Sequence, residues 1–172
     1  MLELVGGKKK VFEAFSDAPE SPKRVLTQEH FKISDLPSEF VAEKDGIRLV
    51  CVGKILQSLE GCACPMGALT REFLKRLSLE EDEIVLIDTE AGTEHFGRGV
   101  ERHVDTVLIV TEPSFAALEL AGKIGGLARE IGVSNTWAIL NKVPSTELTA
   151  RLSDELKQRG IPVIGSVPYD AE

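Results

Sequence analysis

Two cysteines one residue apart, in Cys62-Ala63-Cys64-Pro65, lie upstream of an apolar run, Ile84-Val85-Leu86-Ile87, that ends in Asp88 and continues as Thr89-Glu90-Ala91-Gly92. A carboxylate delivered at the C-terminal end of a buried parallel strand can stand behind a Mg²⁺ ion. A glycine just beyond it can aim its backbone N–H at a terminal phosphate and pivot as that phosphate comes and goes. Neighbouring thiols are soft ligands for a metal. The residue types and their order therefore describe a nucleotide switch coupled to a thiolate site.

A loop that cradles phosphates is the element such a switch needs most. It requires Gly-x-x-x-x-Gly-Lys-Ser/Thr, because successive backbone N–H groups wrap the phosphates, the lysine reaches the terminal ones and the hydroxyl binds Mg²⁺. No segment of the 172 residues complies. Gly6-Gly7-Lys8-Lys9-Lys10 lacks both the hydroxyl and a preceding apolar strand, and reads as a solvated turn. Gly122-Lys123 has Ala117 in place of the first glycine and Ile124 in place of the hydroxyl, and reads as helix interior.

The elements that would position these residues follow from periodicity. Ile47–Val52, Ile84–Asp88, Val104–Val110, Thr136–Leu140 and Pro162–Gly165 are short, nearly continuous apolar runs that read as strands. Met66, Leu69, Phe73 and Leu77 recur at helical spacing, and further helical stretches fall around 115–131 and 146–159. Buried strands alternating with helices predict an α/β fold: a three-layer αβα domain with a mostly parallel sheet. Residues 46–170 carry this pattern, whereas residues 1–45 are irregular and offer no opening strand–loop–helix unit. The whole chain is expected to form one partial domain, its sheet edge exposed where an opening strand would lie.

Composition narrows the classes. A hydrophobic fraction of 42% beside 28% charged residues is that of an ordinary globular chain. A net charge of −8 argues against a nucleic-acid partner. No apolar run approaches a membrane span or a signal peptide's core, and three cysteines do not make a disulfide framework, so a cytoplasmic setting is expected. Cys51, within an apolar run, reads as a small core hydrophobe.

Several segments together resemble the MinD-like NTPases, and among them the CooC type, the accessory ATPases of nickel carbon monoxide dehydrogenase. They are Gly61-Cys62-Ala63-Cys64-Pro65, the stretch from Ile87-Asp88-Thr89-Glu90-Ala91-Gly92 to Thr93-Glu94-His95-Phe96-Gly97-Arg98-Gly99, Thr111-Glu112-Pro113-Ser114, Asn141-Lys142-Val143 and Val167-Pro168-Tyr169-Asp170. The resemblance implies a P-loop NTPase-like fold and an ATP-dependent homodimer that carries or inserts Ni²⁺, with carbon monoxide dehydrogenase as client. Family members open with a Gly-Gly-x-Gly-Lys-Thr loop and continue past the segment at 167–170. The chain is accordingly expected to be a fragment or short form without the P-loop end, inactive alone in hydrolysing ATP to ADP and phosphate.

The resemblance also distributes roles. Asp88 would hold Mg²⁺ through water, and Gly92 would sense the γ-phosphate. Asn141, with the backbone around Pro168 and Tyr169, would recognise the adenine of ATP or ADP. Glu94 and His95 are adjacent, so their side chains diverge, and they read as part of a switch loop. Cys62 and Cys64 supply only two ligands, whereas a closed tetrahedral site needs four, so two chains meeting at a dyad would form one Zn²⁺ or Ni²⁺ site. A non-catalytic metal-binding dimer using the same two cysteines is the alternative. An electron carrier of the nitrogenase iron protein kind fits less well, since its cluster ligands lie far apart in sequence.

Overall fold

Two nearly continuous apolar runs, Thr106–Thr111 and Asn135–Val143, separated by one long amphipathic stretch, build the heart of the protein's parallel sheet. The computed structural model describes residues 29–52, 64–89, 91–98 and 100–170. It divides into two units, the first running to Thr89 and taking in Arg98–Val100, the second made of Glu90–Gly97 and Glu101–Glu172.

In the first unit, strands β1 (Ala42–Lys44) and β2 (Ile47–Leu49) pair antiparallel, with Ala42 opposite Leu49 and Lys44 opposite Ile47. The turn between them is Asp45-Gly46, with φ of 52° and 77°. Two consecutive left-handed residues are what a two-residue hairpin loop demands, and Asp-Gly supplies them at low strain. Of the run Ile47–Val52, expected as a buried parallel strand, only Ile47–Leu49 is strand, an exposed hairpin arm whose turn dictates an antiparallel partner, while Val50 and Val52 pack partly buried against Phe31, Leu69 and Phe73. Cys51 follows that arm and is exposed, not a core residue as expected. Helix α1 (Cys64–Arg76) realises the predicted amphipathic helix. Its Leu69 and Phe73 bury against Phe31, with the two phenyl rings 4.9 Å apart and tilted by 55°. Phe31 also forms a single parallel bridge with Leu77, its N–H donating to Arg76 O at 3.1 Å and its carbonyl accepting from Ser78 N–H at 2.8 Å.

Ion pairs Lys32–Glu80 and Arg48–Glu83 join the chain after α1 to the hairpin and its approach. The Glu80 N–H, 3.0 Å from the Glu83 carboxylate, and then the Arg48 guanidinium hold the Glu83 carboxyl below its ordinary range. Beyond them, the run Ile84–Asp88 pairs with no strand among the described residues, and Ile84 and Leu86 are 87% and 85% exposed. This differs from the expectation of a buried strand: a segment becomes strand only when a neighbour takes its N–H and C=O groups, and none of the described residues does so.

Glu90–Gly97 of the second unit carries most of a short helix, α2 (Glu94–Arg98), and a 3₁₀ turn spans Val100–His103. A βαβαβ succession follows: β3 (Thr106–Thr111), α3 (Phe115–Glu130), β4 (Asn135–Val143), α4 (Thr146–Gln158) and β5 (Val163–Pro168). The strands are parallel in the order β3-β4-β5, with Thr106 aligned on Asn135 and Thr111 on Leu140. The predicted elements are here within a few residues. Serine starts both helices: Ser114 Oγ accepts from Ala117 N–H and Ser145 Oγ from Leu148 N–H, each at 3.2 Å. Leu118 and Ala121 of α3 and Leu152 and Leu156 of α4 cover the same sheet face, packing on Ile109, Ala138, Leu140, Val143 and Ile161. They form one flanking layer of the expected α/β sandwich. On the other face Leu108 and Val110 stay exposed, and among the described residues β3 and β5 are the two outer strands of this sheet.

Gly125, inside α3, is explained by close packing. A Cβ there would lie 2.7 Å from Ile161 Cδ1 and 2.9 Å from Cγ1, and Ile161 is fully buried. Gly125→Ala should therefore destabilise by about 1–3 kcal/mol through overpacking, outweighing the roughly 1 kcal/mol that alanine contributes in a helix. In an Ile161→Ala background the same substitution should turn stabilising, a change of sign that urea unfolding of the four proteins reads directly.

Candidate nucleotide-binding edge

The carboxyl ends of parallel strands are where α/β sheets bind ligands, because the chain must leave the sheet there and its loops and helix N-termini converge. In the second unit this edge is formed by Thr111-Glu112, Asn141-Lys142-Val143 and Pro168-Tyr169. The pairing of β4 with β5 runs from Leu140 opposite Ser166 to Val143 opposite Pro168, so two residues of β4 face one of β5. That bulge is made by Lys142, whose φ of 55° is left-handed. For a residue with a Cβ this conformation costs on the order of 1–2 kcal/mol. Past the bulge, Tyr169 N–H donates to Val143 O at 3.1 Å, fastening the end of β5 to that of β4.

The side chain of Lys142 crosses to the end of β3, where its Nζ lies 2.7 Å from Glu112 Oε1. The hydrogen bond and charge of Glu112 raise the Lys142 ammonium above its usual range. Both side chains are 55% exposed, so the pair contributes little to stability.

Beside these strand ends is a cleft of about 320 Å³, lined by Val143, Pro144, Ser145, Thr146, Thr149, Ser166 and Pro168. Its size falls at the lower end of the range for small-molecule sites. Its lining mixes apolar Val143 and two prolines with the hydroxyl residues Ser145, Thr146 and Thr149 around the start of α4 and Ser166 of β5. A flat heterocycle with polar edges matches that mixture.

Of the residues singled out from sequence, the structure brings Asn141, Pro168 and Tyr169 to one edge: Asn141 is half-buried immediately before the bulge, and Pro168 lines the cleft. Asp88 ends the exposed apolar run of the first unit. Gly92, in the second, has φ of 119°, a conformation closed to other residues, so its glycine is required whatever it senses. Cys62 lies outside the described residues, and Cys64 begins α1, with its side chain likewise outside them. Among the described residues there is no group of three or more His, Cys, Asp or Glu able to hold a metal. No described helix is long and apolar enough to cross a membrane.

Two features were missed from sequence. The Lys142–Glu112 bridge has no sequence signal, since a lysine gives no hint of a left-handed backbone. Phe96, in contrast, could have been found as the lone large apolar residue between Gly92 and Gly97. It is 7% exposed and packs with Ala128 and Val133 of the α3 layer, anchoring the segment after Gly92. Phe96→Ala should cost on the order of 3 kcal/mol in the second unit. It should also speed amide hydrogen exchange across residues 94–97 well beyond any change in β4.

No family model matches the chain. It is 39% identical over 95% of its length to an ATP-binding protein of Methanocaldococcus jannaschii, of which it covers 65%. It is 38% identical over 81% of its length to the carbon monoxide dehydrogenase accessory protein CooC of Rhodospirillum rubrum, of which it covers 52%. Among solved structures, a ParA family ATPase from Chlorobium tepidum matches 46% of this chain and 33% of its own, with a TM-score of 0.38 and 34% identity. The chain thus spans between about half and two thirds of the curated relatives it matches. Its homology to CooC and to archaeal ATP-binding proteins agrees with the resemblance to the CooC-type, MinD-like P-loop NTPases carried by the motifs at 61–65, 87–99 and 141–143.

Proposed function

We propose that the carboxyl edge of β4 and β5 is the base-binding end of an adenine-nucleotide site, and that the protein acts as a CooC-like ATPase in nickel delivery to carbon monoxide dehydrogenase. The observation that carries this reading is the cleft itself, framed by the Val143–Tyr169 bond and Pro168, with Asn141 just before the bulge. Pro168 offers the cleft an apolar face, and Asn141, which lies before the bulge and does not line the cleft, would offer an amide that can both donate to and accept from an adenine edge. Asp88 and Gly92 would serve the Mg²⁺ and γ-phosphate end. A single protein carboxylate suits Mg²⁺, which usually keeps several waters and takes its other ligands from nucleotide phosphates. Asn141→Ala should weaken binding of a fluorescent ADP analogue by about tenfold, the loss of one well-made polar contact. Unchanged affinity would remove Asn141 from the site. The 172-residue chain alone should not turn over ATP, because its sequence holds no lysine-bearing phosphate loop. A Mg²⁺-dependent rate that disappears in Asp88→Asn would contradict this.

Nickel, the cargo in this reading, would meet Cys62 and Cys64. One chain provides two thiolates, and two copies provide the four ligands of a closed site, which supports a homodimer through this region. The reduced protein should bind about one Zn²⁺ or Ni²⁺ per two chains. Binding should weaken steeply with acid because the thiols must ionise to ligate. Cys62→Ser and Cys64→Ser should each abolish binding and dimerisation together, while Cys51→Ser leaves the stoichiometry intact. Metal titration with light scattering checks this, and dimeric binding by the Cys62→Ser/Cys64→Ser double variant would exclude the pair as the site.

A further inference from the structure

We propose that the Lys142–Glu112 bridge is the positioning device of the base site: it holds the left-handed kink of β4 and so sets the direction of Asn141 and the Val143–Tyr169 link. The inference rests on the reading of this edge as a base site. Along β4, Thr136, Ala138 and Leu140 are buried in strict alternation, which would turn position 142 into the core. Instead Lys142 is exposed and Val143 is buried, so the phase slips by one residue at Lys142. Glycine would adopt φ of 55° without strain. What lysine adds is a side chain that reaches Glu112, 2.7 Å away at the end of the neighbouring strand.

Glu112 is itself fixed by the start of α3. Its carbonyl accepts from Ser114 N–H at 2.8 Å, and Ser114 caps that helix. The bridge therefore ties the end of β4 to a rigid helix start, while the Val143–Tyr169 bond ties it to β5. Asn141 lies between the last regular pair of β4 and this double anchorage. Without the bridge the kink remains available to the chain but is no longer held in one orientation. The expected signature is a loss of local order and of ligand affinity with little loss of global stability, since both partners are half exposed.

Amide hydrogen exchange, thermal unfolding and titration with ADP test this on the wild-type chain and four variants. In Lys142→Met and Glu112→Gln, the Tyr169 amide should exchange about fivefold faster and ADP should bind about fivefold more weakly, the upper range for an exposed pair. Unfolding midpoints should stay close to that of the wild type. Lys142→Arg should restore both readouts. Lys142→Gly should unfold later than the wild type, because its backbone strain is gone, yet bind ADP no better than Lys142→Met. A Lys142→Gly variant that binds like the wild type, or unchanged Tyr169 exchange in Lys142→Met and Glu112→Gln, overturns the positioning role. So does faster exchange with unaltered ADP affinity. Failure of the wild-type chain to bind ADP overturns the base site itself, and the positioning role with it.

Discussion

Burial of alternate residues along β4 is the constraint on which the second unit depends. Among the described residues β4 is the one strand of its sheet with partners on both sides, and Ala138 and Leu140 are completely excluded from solvent beneath α3 and α4. A one-residue slip in such a strand would exchange its core face for its outer face, so register is tightly specified. Fixing β4 also fixes where β3 and β5 end relative to it, and hence which residues meet at the carboxyl edge. The small residues Ala121, Gly125 and Ala138 let the helices approach closely enough for Ile161 to fill the remaining space.

The edge is built by departures from that regularity. Up to Leu140 the strand obeys alternation; at Lys142 it turns left-handed, and beyond it Val143 re-enters the core. The departure is tolerated because a regular strand lies on one side and a serine-capped helix on the other. Strain of this kind persists only where the surroundings over-determine the backbone. A cleft lined by apolar and hydroxyl-bearing residues results from the same local geometry, with no need for movement elsewhere.

The succession β3-α3-β4-α4-β5 was legible in the sequence because each of its signals is local and mutually consistent. Nearly continuous apolar runs, serines before helical periods and glycines at Gly132 and Gly160 after them all indicate the same boundaries. The first unit was less legible. Ile47–Val52 and Ile84–Asp88 are as apolar as true strands, but strand formation is a property of pairs, and composition does not report whether a partner is at hand. The hairpin was readable after all from Asp45-Gly46, a turn signal that outweighs the apolar run following it. Of the candidate site, Asn141, Pro168 and Tyr169 were named from the family resemblance, and their place at the strand ends was legible because each follows a predicted strand. The Lys142–Glu112 contact joins positions 30 residues apart and depends on a backbone angle that lysine rarely adopts, so nothing in the residue types announced it.

The outer flank of β3 has a consequence of a different kind. Among the described residues, its backbone groups on that side meet no strand, and Leu108 and Val110 stand exposed on the sheet face beside them. A strand that docked there would bind the folded unit and not the unfolded chain. By mass action the unit's stability would then rise with the concentration of whatever supplies that strand, whether covalently attached or separate. The melting temperature of this unit would therefore be a property of the mixture it is measured in as well as of its own contacts.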